Sequence, residues 1–141
     1  MKKVLLLFSL SVCMLFLFAC QSQEENITLL DNISTISISD SDGYGGINEN
    51  YFTTIDRDTL IAKFENVLKS ARAKKQKVDV TNEKPDYDVL IRYENGETHG
   101  LHIVLGDIGE ESRVMYIGHE NIGYNIPDKG TELLREIVDI K

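Results

Sequence analysis

The sequence contains very little cysteine, proline or tryptophan. Of its 141 residues two are cysteine, two are proline and none is tryptophan. Cys13 lies inside an apolar N-terminal run, so Cys20 is the only thiol in the rest of the chain. One thiol cannot form an internal disulfide or a cluster of cysteine metal ligands. The folded part must therefore be stabilised by its hydrophobic core.

The sequence also lacks the short motifs of common catalytic and nucleotide-binding sites. It has no G-x-S-x-G or S-x-x-K string, no H-E-x-x-H zinc motif, no P-loop and no G-x-G-x-x-G. From these absences we expect a non-enzymatic binding or interaction module of unknown ligand, with no catalytic residue and no cofactor. A cation-binding protein and, as a weaker alternative, an envelope hydrolase with a carboxylate pair stay open.

The N-terminus has the layout of an export signal. Lys2 and Lys3 precede an apolar run from Val4 to Ala19, and a basic start before a short apolar region is typical of secretory signals. A membrane-spanning helix needs about 20 apolar residues, so this run is slightly too short to be one. The string Leu17-Phe18-Ala19-Cys20 resembles a lipobox, which implies removal of residues 1–19 and attachment of lipid to Cys20. We therefore expect a lipoprotein on the extracytoplasmic face of the cell membrane.

The chain after this cleavage point is acidic. Without Lys2 and Lys3 it has about 13 basic against 23 acidic side chains, a net charge of about −10 with neutral histidines. Such a surface repels nucleic acid and favours cations, basic peptides or basic faces of proteins and envelope components. A solvated surface without a partner is the simpler interpretation. Residues 20–32 are expected to be the lipidated cysteine and a flexible tether, and residues 33–141 a single domain.

Hydrophobic periodicity predicts an α+β domain. Residues 33–39 alternate as a strand does, whereas the apolar stripe from Leu60 to Ala71 has the period of a helix. Further strands are predicted over 87–93, 98–105, 112–118 and 124–126, and a second helix after Pro127. The dipeptide Asn95-Gly96 predicts a type I′ hairpin turn between the first two of these. We expect a mostly antiparallel sheet of four to five strands with two helices on one face, in the order β-α-β-β-β-(β)-α.

Two acidic loops contain the best candidates for a ligand site. The string Asp40-Ser41-Asp42-Gly43-Tyr44-Gly45 matches positions 1, 3 and 6 of a calcium loop, but the oxygen ligands at positions 5 and 12 are missing. A second acidic turn spans 107–111, and it would join the first if both lie at one end of the sheet. Separate solvated turns are the simpler interpretation. The candidate ligand or cation site consists of Asp40, Asp42, Tyr44, Asp107, Glu110 and Glu111.

The three histidines do not form a local metal site. His99 and His102 are three residues apart on a predicted strand, so their side chains point to opposite faces. His119 could meet one of them across the sheet. A structural or solvent-exposed position is the simpler expectation for each.

Several strings together resemble a known family. They are Ile36-Ser37-Ile38 through Gly45-Gly46-Ile47-Asn48, Pro85-Asp86-Tyr87-Asp88-Val89, Gly100-Leu101-His102-Ile103-Val104-Leu105-Gly106, and Met115-Tyr116 followed by Tyr124. With the lipobox they are similar to the small YhfM-like lipoproteins of Bacillus and related Gram-positive bacteria. The resemblance covers nearly all of the chain after Cys20, in the same order. It implies a location, the outer face of a Gram-positive cell membrane, and carries over no activity, cofactor or catalytic residue.

Overall fold

The structure of the chain is a computed structural model that describes residues 27–29, 31–74, 79 and 81–139. The elements in chain order are β1 Ile33–Asp40, β2 Thr53–Ile55, α1 Asp58–Ser70, β3 Arg72–Lys74, β4 Tyr87–Tyr93, β5 Thr98–Val104, β6 Ser112–Tyr116, β7 Gly123–Ile126 and α2 Asp128–Val138. The strands form one sheet in the order β2-β1-β4-β5-β6-β7-β3. Every neighbouring pair is antiparallel.

The α+β class with an antiparallel sheet and two helices is confirmed, but the predicted strand count is wrong. The sheet has seven strands rather than four to five. The two that were missed, β2 and β3, are edge strands of three residues each. Three residues are too few for an alternating pattern to be recognised.

The hydrophobic core lies between the helices and one face of the sheet. The apolar stripe of α1 is buried as predicted, and the same core contains one side of α2 and alternate residues of the central strands. Its largest fully buried apolar side chains include Phe64, Leu68, Ile36, Ile91, Leu101 and Leu134. A hydrogen bond of 2.8 Å between the hydroxyls of Ser112 and Thr131 joins β6 to α2. This face of the sheet is covered by the apolar side chains of the two helices.

The opposite face carries a row of buried side chains across four strands, and three of the four are polar. The strand registers pair Ser39 with Asp88, Asp88 with His102, and His102 with Met115. All four side chains are buried, although the helices lie on the other side of the sheet. The loop after β1 covers this row. Its residue Asn48 contacts two members of the row: its carbonyl accepts a hydrogen bond of 2.5 Å from the Ser39 hydroxyl, and its N–H donates to Asp88. A loop that folds back over the sheet therefore creates a second buried region.

Part of the segment predicted as a tether is bound to the domain. Ile27 is buried in the core, and the Tyr116 hydroxyl donates to the Thr28 carbonyl at 2.8 Å. The expected signal peptide over 1–19 and the lipidated Cys20 lie outside the described residues. Within the described part of the chain, no helix combines the length and apolar character that crossing a membrane requires.

Candidate functional site

A buried histidine–carboxylate pair forms the centre of the candidate site. His102 on β5 and Asp88 on β4 are both fully buried, and Nδ1 of the imidazole lies 2.8 Å from Oδ1 of the carboxylate. Oδ2 accepts a hydrogen bond of 2.7 Å from the Asn48 backbone N–H. Because a carboxylate only accepts hydrogen bonds, Nδ1 carries the proton in this pair. In the neutral imidazole Nε2 is then unprotonated and can accept a proton.

Nε2 of His102 is buried and has no hydrogen-bond partner among the described residues. The Glu120 carboxylate approaches it to 3.6 Å, which is just outside hydrogen-bond distance. The great majority of buried polar atoms in proteins are hydrogen-bonded, so this nitrogen is an exception among buried polar atoms. The imidazole is therefore held at Nδ1, while Nε2 has no hydrogen-bond partner among the described residues.

Tyr44 covers the imidazole from the glycine-rich loop after β1. Its ring meets the His102 ring edge-on, with centroids 5.5 Å apart, and its hydroxyl is buried without a partner among the described residues. Gly43 and Gly45 on either side have φ of +119° and +105°, a left-handed backbone that favours glycine. Burial raises the pKa of the Tyr44 phenol, the Glu83 carboxylate adds to the rise and the Arg113 guanidinium opposes it. Tyr44 is therefore a neutral hydrogen-bond donor at physiological pH.

Glu120 places a second carboxylate beside the imidazole. It lies in the turn between β6 and β7, and its Oε1 accepts a hydrogen bond of 2.8 Å from the Gly118 N–H. Desolvation acts to raise the pKa of Glu120. Two other effects lower it and are stronger: backbone hydrogen bonds from Gly118 and from Glu120 itself, and the charges of His102 and His119. The resulting pKa lies below the usual value. The His102 site thus comprises Tyr44, Asp88, His102 and Glu120, with a carboxylate on each side of one imidazole.

The rim of the site is formed by side chains on β6 and in the segment before β4. Arg113 lies on the same face as Met115, the register partner of His102, and its guanidinium donates to Glu83 at 2.6 Å. Asn125 is the register partner of Arg113 on β7. Its Nδ2 donates to Glu111 at 2.7 Å, while its Oδ1 is buried without a partner in the described part of the chain. The rim residues are Glu83 and Arg113, because their charges act on the Tyr44 phenol. Asn125 and Glu111 lie farther from His102, on β7 and before β6.

The predicted loop residues do not assemble into a shared site in this structure. Asp40 and Asp42 are exposed, and β1 and β5 are separated by β4 in the sheet. Asp107 forms an ion pair of 2.9 Å with Arg135, and Glu110 approaches the Asp107 N–H at 3.4 Å. Of the six predicted residues, Tyr44 belongs to the His102 site, whereas the exposed Glu111 accepts a hydrogen bond from Asn125 on β7.

The cation hypothesis stays a prediction. In the described ranges, no group of three or more His, Cys, Asp or Glu side chains is arranged to hold a metal ion. His99 and His102 lie on opposite faces of the sheet, as predicted. The Tyr93 hydroxyl lies 2.9 Å from Nδ1 of His99 on one face, and His102 is hydrogen-bonded to Asp88 on the other.

Comparisons with known proteins concern both the sequence and the fold. A protein-family model described as YhfM protein matches residues 30–141, and no curated protein matches the chain. The fold resembles the crystal structure of a thioesterase-like protein from Clostridium sporogenes, with a TM-score of 0.60 and 18% sequence identity. The match covers 78% of this chain and 97% of that protein. At this identity the likeness shows a shared fold.

The prediction of a non-enzymatic domain is wrong. It was based on the absence of catalytic motifs, whereas the fold is shared with a thioesterase-like protein. The sheet also holds a histidine–carboxylate pair that no short motif could reveal, because Asp88 and His102 lie on different strands. The residues missed from the sequence are therefore Asp88, His102 and Glu120.

Proposed function

Since the chain belongs to the YhfM family and shares its fold with a thioesterase-like protein, we propose that it is a lipid-anchored hydrolase of acyl esters or thioesters. The observation that carries the proposal is the buried imidazole of His102, with Nδ1 held by Asp88 and Nε2 without a partner among the described residues. A positioned imidazole of this kind is the commonest general base in enzymes. The substrate class follows the description of the structural neighbour as thioesterase-like.

The proposed reaction is hydrolysis by a water molecule. Nε2 of His102 takes a proton from the water, and the water oxygen forms a bond with the acyl carbon. The negative charge then develops on the acyl oxygen, where the Tyr44 hydroxyl, which has no partner among the described residues, is the available donor. The bond from carbon to the leaving sulfur or oxygen breaks, and the imidazolium returns its proton to that atom. The products are a carboxylic acid and a thiol or alcohol, and the imidazole is neutral again.

Asp88 and Glu120 act through the imidazole. Asp88 fixes the tautomer that leaves Nε2 unprotonated, and its negative charge stabilises the imidazolium that forms during the reaction. Glu120, at 3.6 Å from Nε2, adds a second negative charge beside the same ring. Because Nε2 is covered in this structure, the Tyr44 loop must move for a substrate to reach it.

The proposed lipid on Cys20 would keep this site close to the membrane. Six residues separate Cys20 from Ile27, and a fully extended chain spans about 3.5 Å per residue. The domain would therefore stay within about 25 Å of its lipid anchor. Its substrates would be esters at the outer face of the cell membrane.

The test compares His102→Gln with wild-type protein, both as full chains in detergent. The substrates are p-nitrophenyl butyrate and a matched butyryl thioester. Removal of the general base is expected to lower kcat by about 10²- to 10⁴-fold. Glu132→Gln is the control, because Glu132 is solvent-exposed on α2, on the other side of the sheet, and it should keep full activity. Thermal unfolding establishes that both variants are folded. Equal turnover by wild type and folded His102→Gln would refute the proposal, as would wild-type protein without turnover on either substrate.

A further inference from the structure

We infer that the acyl group of the substrate is an uncharged hydrocarbon chain, and that it lies on an apolar strip beside His102. The strip consists of Leu90, Gly100 and Ile117. This inference rests on the proposed hydrolytic function and adds the chemistry and the position of the acyl group. It is carried by two observations: the apolar row of side chains on one side of His102, and the charged row on the other side.

The apolar strip lies on the same face of the sheet as His102, one row further along the strands. Side chains two residues apart on a strand share a face, so Leu90 follows Asp88 on that face of β4 and Gly100 precedes His102 on that face of β5. Leu90 is the register partner of Gly100, and the Ile117 N–H donates to the Gly100 carbonyl at 3.0 Å. All three residues of the strip are half-buried. They therefore offer apolar surface about 7 Å along the strand from the imidazole.

Ile117 extends its side chain across Gly100. Its Cδ1 lies 3.1 Å from the position that a Cβ on Gly100 would take. Both residues also line a cavity at the end of β5 and β6, together with Thr98 and His119, and its volume is about 480 Å³. Ligand pockets in proteins commonly have volumes of roughly 300–1,000 Å³. A chain that starts at His102 and crosses Gly100 therefore reaches space that protein atoms do not fill.

The row on the other side of His102 is charged. Arg113 lies there, two residues before Met115 on β6, and its guanidinium is paired with Glu83 at 2.6 Å. A hydrocarbon chain against this ion pair would remove water from two charges, which costs free energy. The strip contains no charged side chain. The acyl chain therefore extends over Gly100, and the leaving group lies on the side of Arg113.

The test compares p-nitrophenyl acetate, butyrate and hexanoate, which differ only in the length of the acyl chain. Each kcat/KM is divided by the spontaneous hydrolysis rate of the same ester. A fully buried methylene contributes about 0.8 kcal/mol, or about fourfold in kcat/KM, so a half-buried strip should supply about twofold for each methylene. We expect the hexanoate to exceed the acetate by roughly 15-fold, with the butyrate between them. Equal normalised rates for the three esters would overturn the inference while hydrolysis itself stands.

Ile117→Ser removes most of the apolar surface of the strip, and it should lower the ratio of hexanoate to acetate severalfold. Ile108→Ser is the matched control, because Ile108 is 79% exposed in the turn between β5 and β6. It should keep the wild-type ratio, which also accounts for uptake of the longer ester by detergent. Thermal unfolding establishes that both variants are folded. A wild-type ratio in folded Ile117→Ser would overturn the inference.

Methyl NMR of the wild-type chain separates this inference from the proposed function. Hexanamide and acetamide lack the ester, so they report binding alone. Hexanamide should shift the methyl signals of Ile117 and Leu90 but not that of Ile108, and acetamide should shift none of them. Such shifts without turnover of any ester would support the strip and end the hydrolytic proposal. Neither shifts nor turnover would overturn both.

Discussion

Asp88→Asn changes one atom of the buried pair and tests how the imidazole is held. The carboxylate accepts from two donors, Nδ1–H of His102 at 2.8 Å and the Asn48 N–H at 2.7 Å. An amide offers one oxygen and one NH₂ group, so it can satisfy only one of these donors. The Asn48 backbone keeps its proton, whereas the imidazole can move its own proton from Nδ1 to Nε2. We therefore expect the NH₂ of the introduced amide to face Nδ1 and the tautomer to invert.

The expected effects follow from that inversion. A hydrogen bond to a charged group contributes about 1.5–3 kcal/mol, and the variant replaces two such bonds by neutral ones. A loss of about 2 kcal/mol in the free energy of unfolding corresponds to a fall in Tm of roughly 8 °C for a domain of this size. The inverted tautomer has no free acceptor at Nε2, and the same change in a serine-protease triad lowers kcat about 10⁴-fold.

Urea unfolding and ¹⁵N chemical shifts of the His102 ring measure the two effects separately. Asp86→Asn is the matched control, because the Asp86 carboxylate accepts one bond, from the Leu105 N–H at 2.7 Å, and an amide oxygen can replace it. The control should change stability by less than about 1 kcal/mol. An Asp88→Asn protein that keeps Nδ1 protonated and loses no stability would refute the assigned hydrogen-bond pattern.

Two further predictions concern the tyrosine near the N-terminal segment and the membrane anchor. Burial, with smaller contributions from Tyr124 and Tyr93, raises the pKa of Tyr116 to about 12. Folding therefore favours the neutral phenol. The contribution of Tyr116 to the free energy of unfolding should be fully present below about pH 10 and should be lost between about pH 10 and 12. In urea unfolding, Tyr116→Phe should remove this alkaline decline. It should also lower the free energy of unfolding at pH 7 by about 1 kcal/mol, because the hydrogen bond to Thr28 is lost. An unchanged alkaline decline in the variant would contradict the raised pKa of Tyr116. Cys20→Ala should abolish labelling by a lipid precursor and release the chain from membranes, and a labelled variant would exclude Cys20 as the attachment point.

The central elements could be predicted from the sequence because each is long enough to show its period. The strand Tyr87–Tyr93 was predicted with its observed bounds, and the stripe of α1 has four buried residues in the helical pattern. The edge strands β2 and β3 have three residues and no local signal. Their position depends on pairing with β1 and β7, which are distant in sequence.

The pairing of Asp88 with His102 could not be predicted, because the turn predicted at Asn95-Gly96 implies a register one residue away from the observed one. A two-residue type I′ turn at Asn95-Gly96 pairs Glu94 with Glu97, and counting outwards sets His102 opposite Val89. In the structure Arg92 pairs with Thr98 and Asp88 with His102. Gly96 has a positive φ of 88°, but Asn95 does not, so the predicted type I′ turn is wrong. The connection is one residue longer, and one glycine in the left-handed region is typical of a three-residue hairpin loop.

This one-residue difference decides whether the protein has a candidate active site. A shift of one residue in register moves every side chain of a strand to the other face. With the type I′ register His102 would share a face with Val89, in the helix-packed core, while Asp88 would stay with Ser39. The observed register instead brings a buried imidazole and a buried carboxylate to 2.8 Å. A buried ionisable pair of this kind is often no more stabilising than apolar residues of the same volume. Stability alone therefore does not account for the pair, and its chemistry is the better explanation for its place in the sheet.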